Sequence, residues 1–80
     1  MESKIAVVAI IVNDTNAVER INLLLHGYGE YIIGRLGLPY KKRNVNVISV
    51  VMDAPTEIIN SLSGKLGMIE GVSSKVLTTK

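Results

Sequence analysis

"IAVVAIIV", Ile5 to Val12, decides the fold. Eight apolar residues in succession, with no polar alternation, read as a strand apolar on both faces, which belongs at the centre of a sheet. The run is far short of the roughly 20 residues that a membrane-spanning helix needs. Forty positions on, "VNVISVVMD" (45–53) repeats the pattern. Val45, Val47, Ser49 and Val51 fall on one face, Asn46, Ile48, Val50 and Met52 on the other, and both faces are mostly apolar.

Helix-start signals follow the first strand. Asp14 is a possible cap, and Asn16 stands three residues ahead of Glu19 in an approximate capping box. Val18, Ile21, Leu24 and Leu25 form one apolar stripe, while Glu19, Arg20 and Asn22 point away. Gly27 and Gly29 stop this helix. "EYIIGRLGLPY" (30–40) has the aromatic and β-branched content of a second strand, made irregular by Gly34 and Gly37, which permit a bulge or close packing. "PYKKRN" (39–44) is a polar turn into the third strand. Pro55 suits the first turn of a second helix, whose buried stripe is Ile58, Ile59, Leu62 and Leu66, with Gly67 or Gly71 at its end. "VSSKVLTT" (72–79), polar at most alternate positions, reads as a short edge strand.

The order is therefore β-α-β-β-α-β, and its halves are alike. Ile59, Asn60, Leu62 and Gly67 of the second helix segment stand opposite Ile21, Asn22, Leu24 and Gly29 of the first. Two interlocked halves of this kind predict an α+β ferredoxin-like sandwich, one domain over residues 1–80, its antiparallel sheet in strand order 4-1-3-2 and both helices on one face. With only one face covered and both central strands apolar on both sides, the open face is expected to be covered by another subunit.

Eighty residues bury only roughly 60–65% of the surface of the unfolded chain, so a partner subunit would also help the core. The absence of cysteine excludes disulfides, thiol catalysis and cysteine-based metal sites, and suits a reducing cytoplasm. The apolar run behind Lys4 is not followed by a small-residue cleavage pattern, so neither secretion nor a membrane anchor is expected. The formal charge of +2 is far from the basic excess of a dedicated nucleic-acid binder.

"GKLGMIEGV" (64–72) contains the Gly-Lys pair of a phosphate loop, but that motif needs a glycine where Ile59 stands and a Ser or Thr in place of Leu66. Gly27-Tyr28-Gly29 does not continue as a dinucleotide fingerprint, since Ile32 occupies the third glycine position. Gly64 and Gly67 read as helix terminators and Lys65 as a cation near a helix C-terminus; contact of Gly64 and Lys65 with a ligand would require their loop to face a pocket. His26, the only histidine, sits in a last helical turn, where it complements the dipole. No paired nucleophile and base stands out, so no enzyme is expected. Lys41, Lys42 and Arg43, beside Tyr40, form the only basic cluster. With no helix-turn-helix and no RNA-recognition aromatic motif, any contact with nucleic acid would rest on this hairpin.

"INLLLHGYGEYIIGRLGLPY", "VNVISVVMDAP", "LSGKLGMIEGV" and the last lysines, in that order, resemble the small proteins called iron-only hydrogenase system regulators. The likeness runs from Ile5 to Val76, and "IIGRLGLPY" and "SGKLG" are its most specific parts. It implies a regulatory, ferredoxin-like domain similar to ACT domains and to the metal-binding regulatory domain of the nickel-responsive repressor, assembling as dimers or tetramers through its sheets. The repressor's ligands, several histidines and a cysteine, have no counterpart here beyond His26, so no nickel or other metal site and no cofactor is expected. ACT domains commonly bind amino acids at subunit interfaces near the loop after the first strand. The matching positions are Asn13, Asp14, Thr15 and Asn16, whose side chains are better explained as helix caps, and the glycine that ACT domains often carry there is missing. Asn13, Asp14, Thr15, Asn16, Gly64 and Lys65 are thus the candidate residues for an amino-acid-like ligand, with Lys41, Lys42 and Arg43 the alternative site for nucleic acid.

Overall fold

The computed structural model describes residues 2–79. Its strands are β1 (Ser3–Val12), β2 (Ile32–Tyr40), β3 (Val45–Pro55) and β4 (Val72–Thr78), and its helices α1 (Val18–His26) and α2 (Thr56–Gly67). Short 3-10 turns occupy Thr15–Ala17, Gly29–Tyr31 and Lys41–Arg43. The sheet order is β2-β3-β1-β4 with every neighbouring pair antiparallel, which is the expected 4-1-3-2 read from its other edge. Together with the two helices this α+β architecture is consistent with the ferredoxin-like sandwich.

β1 and β3 pair without interruption from Ser3 opposite Pro55 to Val12 opposite Asn46. Because side chains alternate, this register sends Ala6, Val8, Ile10 and Val12 to the same face as Ile48, Val50, Met52 and Ala54. All eight are buried in one cluster with Ile21 and Leu25 of α1 and Ile59, Leu62 and Leu66 of α2, so both helices lie on that face. The intervening residues of β1, Ile5, Val7 and Ile11, are apolar yet exposed, because none of the described residues covers the other side of the sheet. The run that reads as apolar on both faces is thus buried on only one.

Three expectations are corrected. Pro55 is the last residue of β3, extended at φ −60° and ψ 153°, and α2 begins only at Thr56. Its fixed φ serves an extended residue as well as a helical one, and its partner in register is Ser3 at the end of β1. Gly64 lies inside α2 and terminates nothing, since the helix runs to Gly67. α1 begins at Val18 after Ala17, with no side-chain cap, so the approximate box of Asn16 and Glu19 does not form. Asp14 caps the preceding 3-10 turn instead. On β2 the expected irregularity is a bulge between Ile32 and Gly34, and close packing plays no part: a Cβ at Gly34 or Gly37 would meet nothing within 4 Å.

Two side-chain bonds tie layers that are distant in sequence. The hydroxyl of Tyr28, just past α1, lies 2.7 Å from Ser61 Oγ on α2, and Arg35 of β2 donates to Asn22 Oδ1 of α1 at 2.7 Å. The first is partly buried and the second exposed. Leu62→Ala, at a fully buried position, is expected to lower the free energy of unfolding by about 2–5 kcal/mol. Arg35→Ala, which removes one exposed hydrogen bond, should lower it by less than about 1.5 kcal/mol. Urea titration followed by circular dichroism measures both.

Candidate functional site

The pairing of Val12 with Val72 brings the loop after β1 and the loop before β4 to the same end of the sheet. There the backbone N–H of Asn13 donates to the carbonyl of Gly71 at 2.7 Å. Gly71 has φ +80°, and a Cβ on it would stand 2.6 Å from Asp14 Cβ, so glycine is required both by conformation and by space. Asp14 in turn accepts a hydrogen bond from the Asn16 N–H through Oδ1 at 3.0 Å, and its carbonyl accepts from the Ala17 N–H at 2.9 Å. Asn13 to Asn16 therefore form a tight, exposed polar loop held against the α2–β4 connection. One carboxylate oxygen of Asp14 is committed to capping, while the side chains of Asn13, Thr15 and Asn16 present amide and hydroxyl groups to the surface.

The six candidate residues for a small ligand divide into two groups. Lys65 belongs with Tyr28, its Nζ lying 5.5 Å from the centre of the ring in a cation–π contact, and Gly64 precedes it inside α2. The Gly-Lys pair thus sits on a helix and not in a loop, as the failed phosphate motif requires.

Lys41, Lys42 and Arg43 are exposed on their 3-10 turn, closed by Asn44 at φ +54°, whose N–H donates to the Lys41 carbonyl at 3.1 Å. With three residues per turn, successive side chains fan out about 120° apart, so the three cations of one chain do not form a single stripe. Since Val12 stands opposite Asn46, this hairpin lies at the same end of the sheet as the Asn13–Asn16 loop. His26 is exposed in the last turn of α1 and borders a shallow surface groove of about 580 Å³ with Asn16, Glu19 and Asn22. Among the described residues, no three His, Cys, Asp or Glu side chains converge on a point that would hold a metal ion.

A depression of about 330 Å³ on the open sheet face, lined by Ala9, Ile11, Ser73, Ser74 and Lys75, had no counterpart in the motif reading. Its signal is present in "VSSKVLTT", where the polar letters stand opposite apolar positions of β1, but a local reading of that strand reports only its edge character. The association of Tyr28, Ser61 and Lys65 had no local signal, because the hydroxyl pair joins residues 33 positions apart.

Two substitutions probe the loop. Gly71→Ala is expected to destabilise the fold by about 1–3 kcal/mol through its positive φ and the contact with Asp14. Asp14→Ala should remove about 1 kcal/mol by loss of the cap. Thermal unfolding of both variants, with intact Asp14→Asn as a control that keeps an accepting oxygen, checks the assignment.

Comparison with known proteins places this geometry. A family model, TM1266-like, described as "Iron-only hydrogenase system regulator, putative", matches residues 4–76. Among solved structures, that of the uncharacterized protein TM1266 from Thermotoga maritima is 35% identical, with a TM-score of 0.93 over 99% of this chain and 100% of the other. No curated protein matches. The matched span contains β1 from Lys4 onward, all of β3, both helices, the Asn13–Asn16 loop and Gly71. The chain belongs to the TM1266-like family.

Proposed function

We propose that the chain is a non-enzymatic, cytosolic regulatory module that assembles as a homo-oligomer through the open face of its sheet and senses a small ligand at the resulting interface. The uncovered face is the observation that carries this reading. Ile5, Val7, Ile11, Leu36, Leu38 and Leu77 are all exposed, and the pairing registers put them on the side away from the helices. Four strands about 4.8 Å apart, roughly eight residues long at about 3.3 Å each, make a face of about 500 Å² before side-chain relief. That is near the upper end of apolar patches on monomers, and two such faces together approach the lower bound of about 1,200 Å² for a specific interface. Ala9 and Ser49, paired at the middle of the face, are small enough to let a second sheet approach closely.

The ligand reading follows from what borders this face. Lys75 and Ser73 stand over the apolar floor of Ala9 and Ile11, a combination suited to a carboxylate carried on a short apolar body, as in an amino acid. β1 continues from Ile11 directly into the Asn13–Asn16 loop, whose free amide and hydroxyl groups would contact the ligand's other polar atoms. A ligand bound there would shift the balance between two assemblies by its difference in affinity for them, and nothing more is required for regulation.

A nucleic-acid-binding reading rests on the exposed Lys41, Lys42 and Arg43 beside the half-exposed Tyr40. Because the cations fan out within one chain, it needs several copies to gather them. Its mark would be affinity falling steeply with salt and abolished in the triple alanine variant.

Native mass spectrometry of the purified protein tests the leading proposal. A dimer or tetramer is expected, and Val7→Lys, which changes a position exposed in the single chain, should yield a folded monomer. Small-molecule mass retained by the wild type and lost in a Thr15→Ala, Asn16→Ala variant would place the ligand at the loop, and loss in Lys75→Ala would place it on the sheet face. A monomeric wild type at micromolar concentration would overturn the assembly.

A further inference from the structure

Leu23 and Met68 have the highest exposure of any large apolar side chains among the described residues, at 75% and 83%. Neither lies on the open sheet face. Leu23 stands on α1 off the buried stripe of Ile21 and Leu25, and Met68 directly follows the end of α2. With Leu24 and Ile69 they line a groove of about 370 Å³ between the two helices, and the remaining two residues of its wall are Arg20 and Lys65. Among the described residues no carboxylate lines it; Glu19 belongs to the adjoining groove, which shares Arg20 and Leu23.

We propose that this groove is the docking site for an acidic amphipathic helix of a protein partner, its apolar side chains seated between Leu23 and Met68 and its carboxylates meeting Arg20 and Lys65. Charge complementarity selects the occupant: an apolar floor walled by two cations and no anion favours apolar anchors flanked by acids, and repels a basic segment. Lys65 Nζ lies 5.5 Å from the centre of the Tyr28 ring, a contact that restricts this side chain before any partner arrives. Met68 suits such a role because its unbranched thioether adapts to different anchors. A helix laid in a groove presents its anchors at i, i+3, i+4 and i+7, the pattern that a concave apolar strip between two helices receives. An anionic membrane fits less well, since two cations around a concave strip fall short of the polybasic or lipidated combinations that give stable anchoring.

The inference rests on the regulatory reading in one respect: a regulator whose sequence carries no helix-turn-helix acts either through the basic Lys41–Arg43 hairpin or through another protein, and the groove serves the second route. The groove shares no residue with the open sheet face, so the partner helix and a second copy of the chain can bind together.

The test is selection from a displayed library of helical peptides, about 16 residues long, with apolar anchors at the four positions and Glu, Lys, Ser and Ala randomised between them. The full-length protein is the bait. Enriched peptides should be acidic, and their affinity should fall at least about tenfold in both Leu23→Ser, Met68→Ser and Arg20→Glu, Lys65→Glu double variants, with circular dichroism and native mass unchanged. Failure to enrich, enrichment of basic or uncharged peptides, or wild-type affinity in either double variant would overturn the proposal. So would binding of phosphatidylserine vesicles that is lost in the same variants without any peptide enrichment, which would assign the groove to membranes. A changed subunit number in Leu23→Ser, Met68→Ser would make the groove a contact between copies and also defeat it. A monomeric wild type would overturn only the assembly through the sheet, leaving the groove to be judged by its own peptides.

Discussion

The pairing of β1 with β3 is the constraint on which the rest of the structure depends. Ten consecutive pairs hold the two most apolar segments of the chain together, and their side chains supply the floor of the core. A slip of one residue would exchange the two faces entirely. In most sheets the polar face forbids such a slip, but here both faces of β1 are apolar, so burial pattern within the pair decides little. The register is held from outside it. β4 pairs along the other edge of β1, the helices close on Val8, Ile10 and Val50, and the Asn13 to Gly71 hydrogen bond pins the end of the strand.

That arrangement divides the molecule into two surfaces with different chemistry. The sheet side is broad and apolar, broken chiefly by Lys75 and Asp53, and suits a copy of itself because a flat sheet face can be matched by another. The helix side is mostly polar, with one narrow apolar strip at Leu23 and Met68 between two cations. With a copy seated on the first, as proposed, a small domain that buries little of its own surface would gain stability there and keep the second free. The loop of Asn13 to Asn16 joins them, running from the end of β1 to the start of α1, so it would register a change in the packing of either side.

Parts of the candidate site were legible because their signals are local. Asp14 was readable as a cap from its residue type and position, although the turn it caps is the 3-10 segment ahead of α1 and not the helix itself. The exposure of Leu23 could be read from three successive leucines, which cannot all face one core across 100° steps. Gly71 was readable only as a helix terminator. Its stricter requirement comes from Asp14, more than fifty residues away, and no local pattern reports such an approach. Lys65 gave the opposite case: the letters Gly-Lys invited a loop, but helix propagation through "SLSGKLG" outweighs a single glycine when Leu62 and Leu66 are both buried on one side.

By itself the sequence determined the element order, the stripes of both helices, the central place of the two apolar strands and the presence of an uncovered apolar face. These follow from periodicity and from the rule that short interlocked βαβ units admit few topologies. Only the tertiary structure decided which half of each central strand is buried, that Pro55 ends a strand, and that Lys65 lies against Tyr28 while Asp14 lies against Gly71. The physical reason is the same in each instance. Strand alternation and residue propensity are properties of neighbours in the chain, whereas the choice of face and the approach of two loops depend on residues brought together by the sheet register and the helix packing.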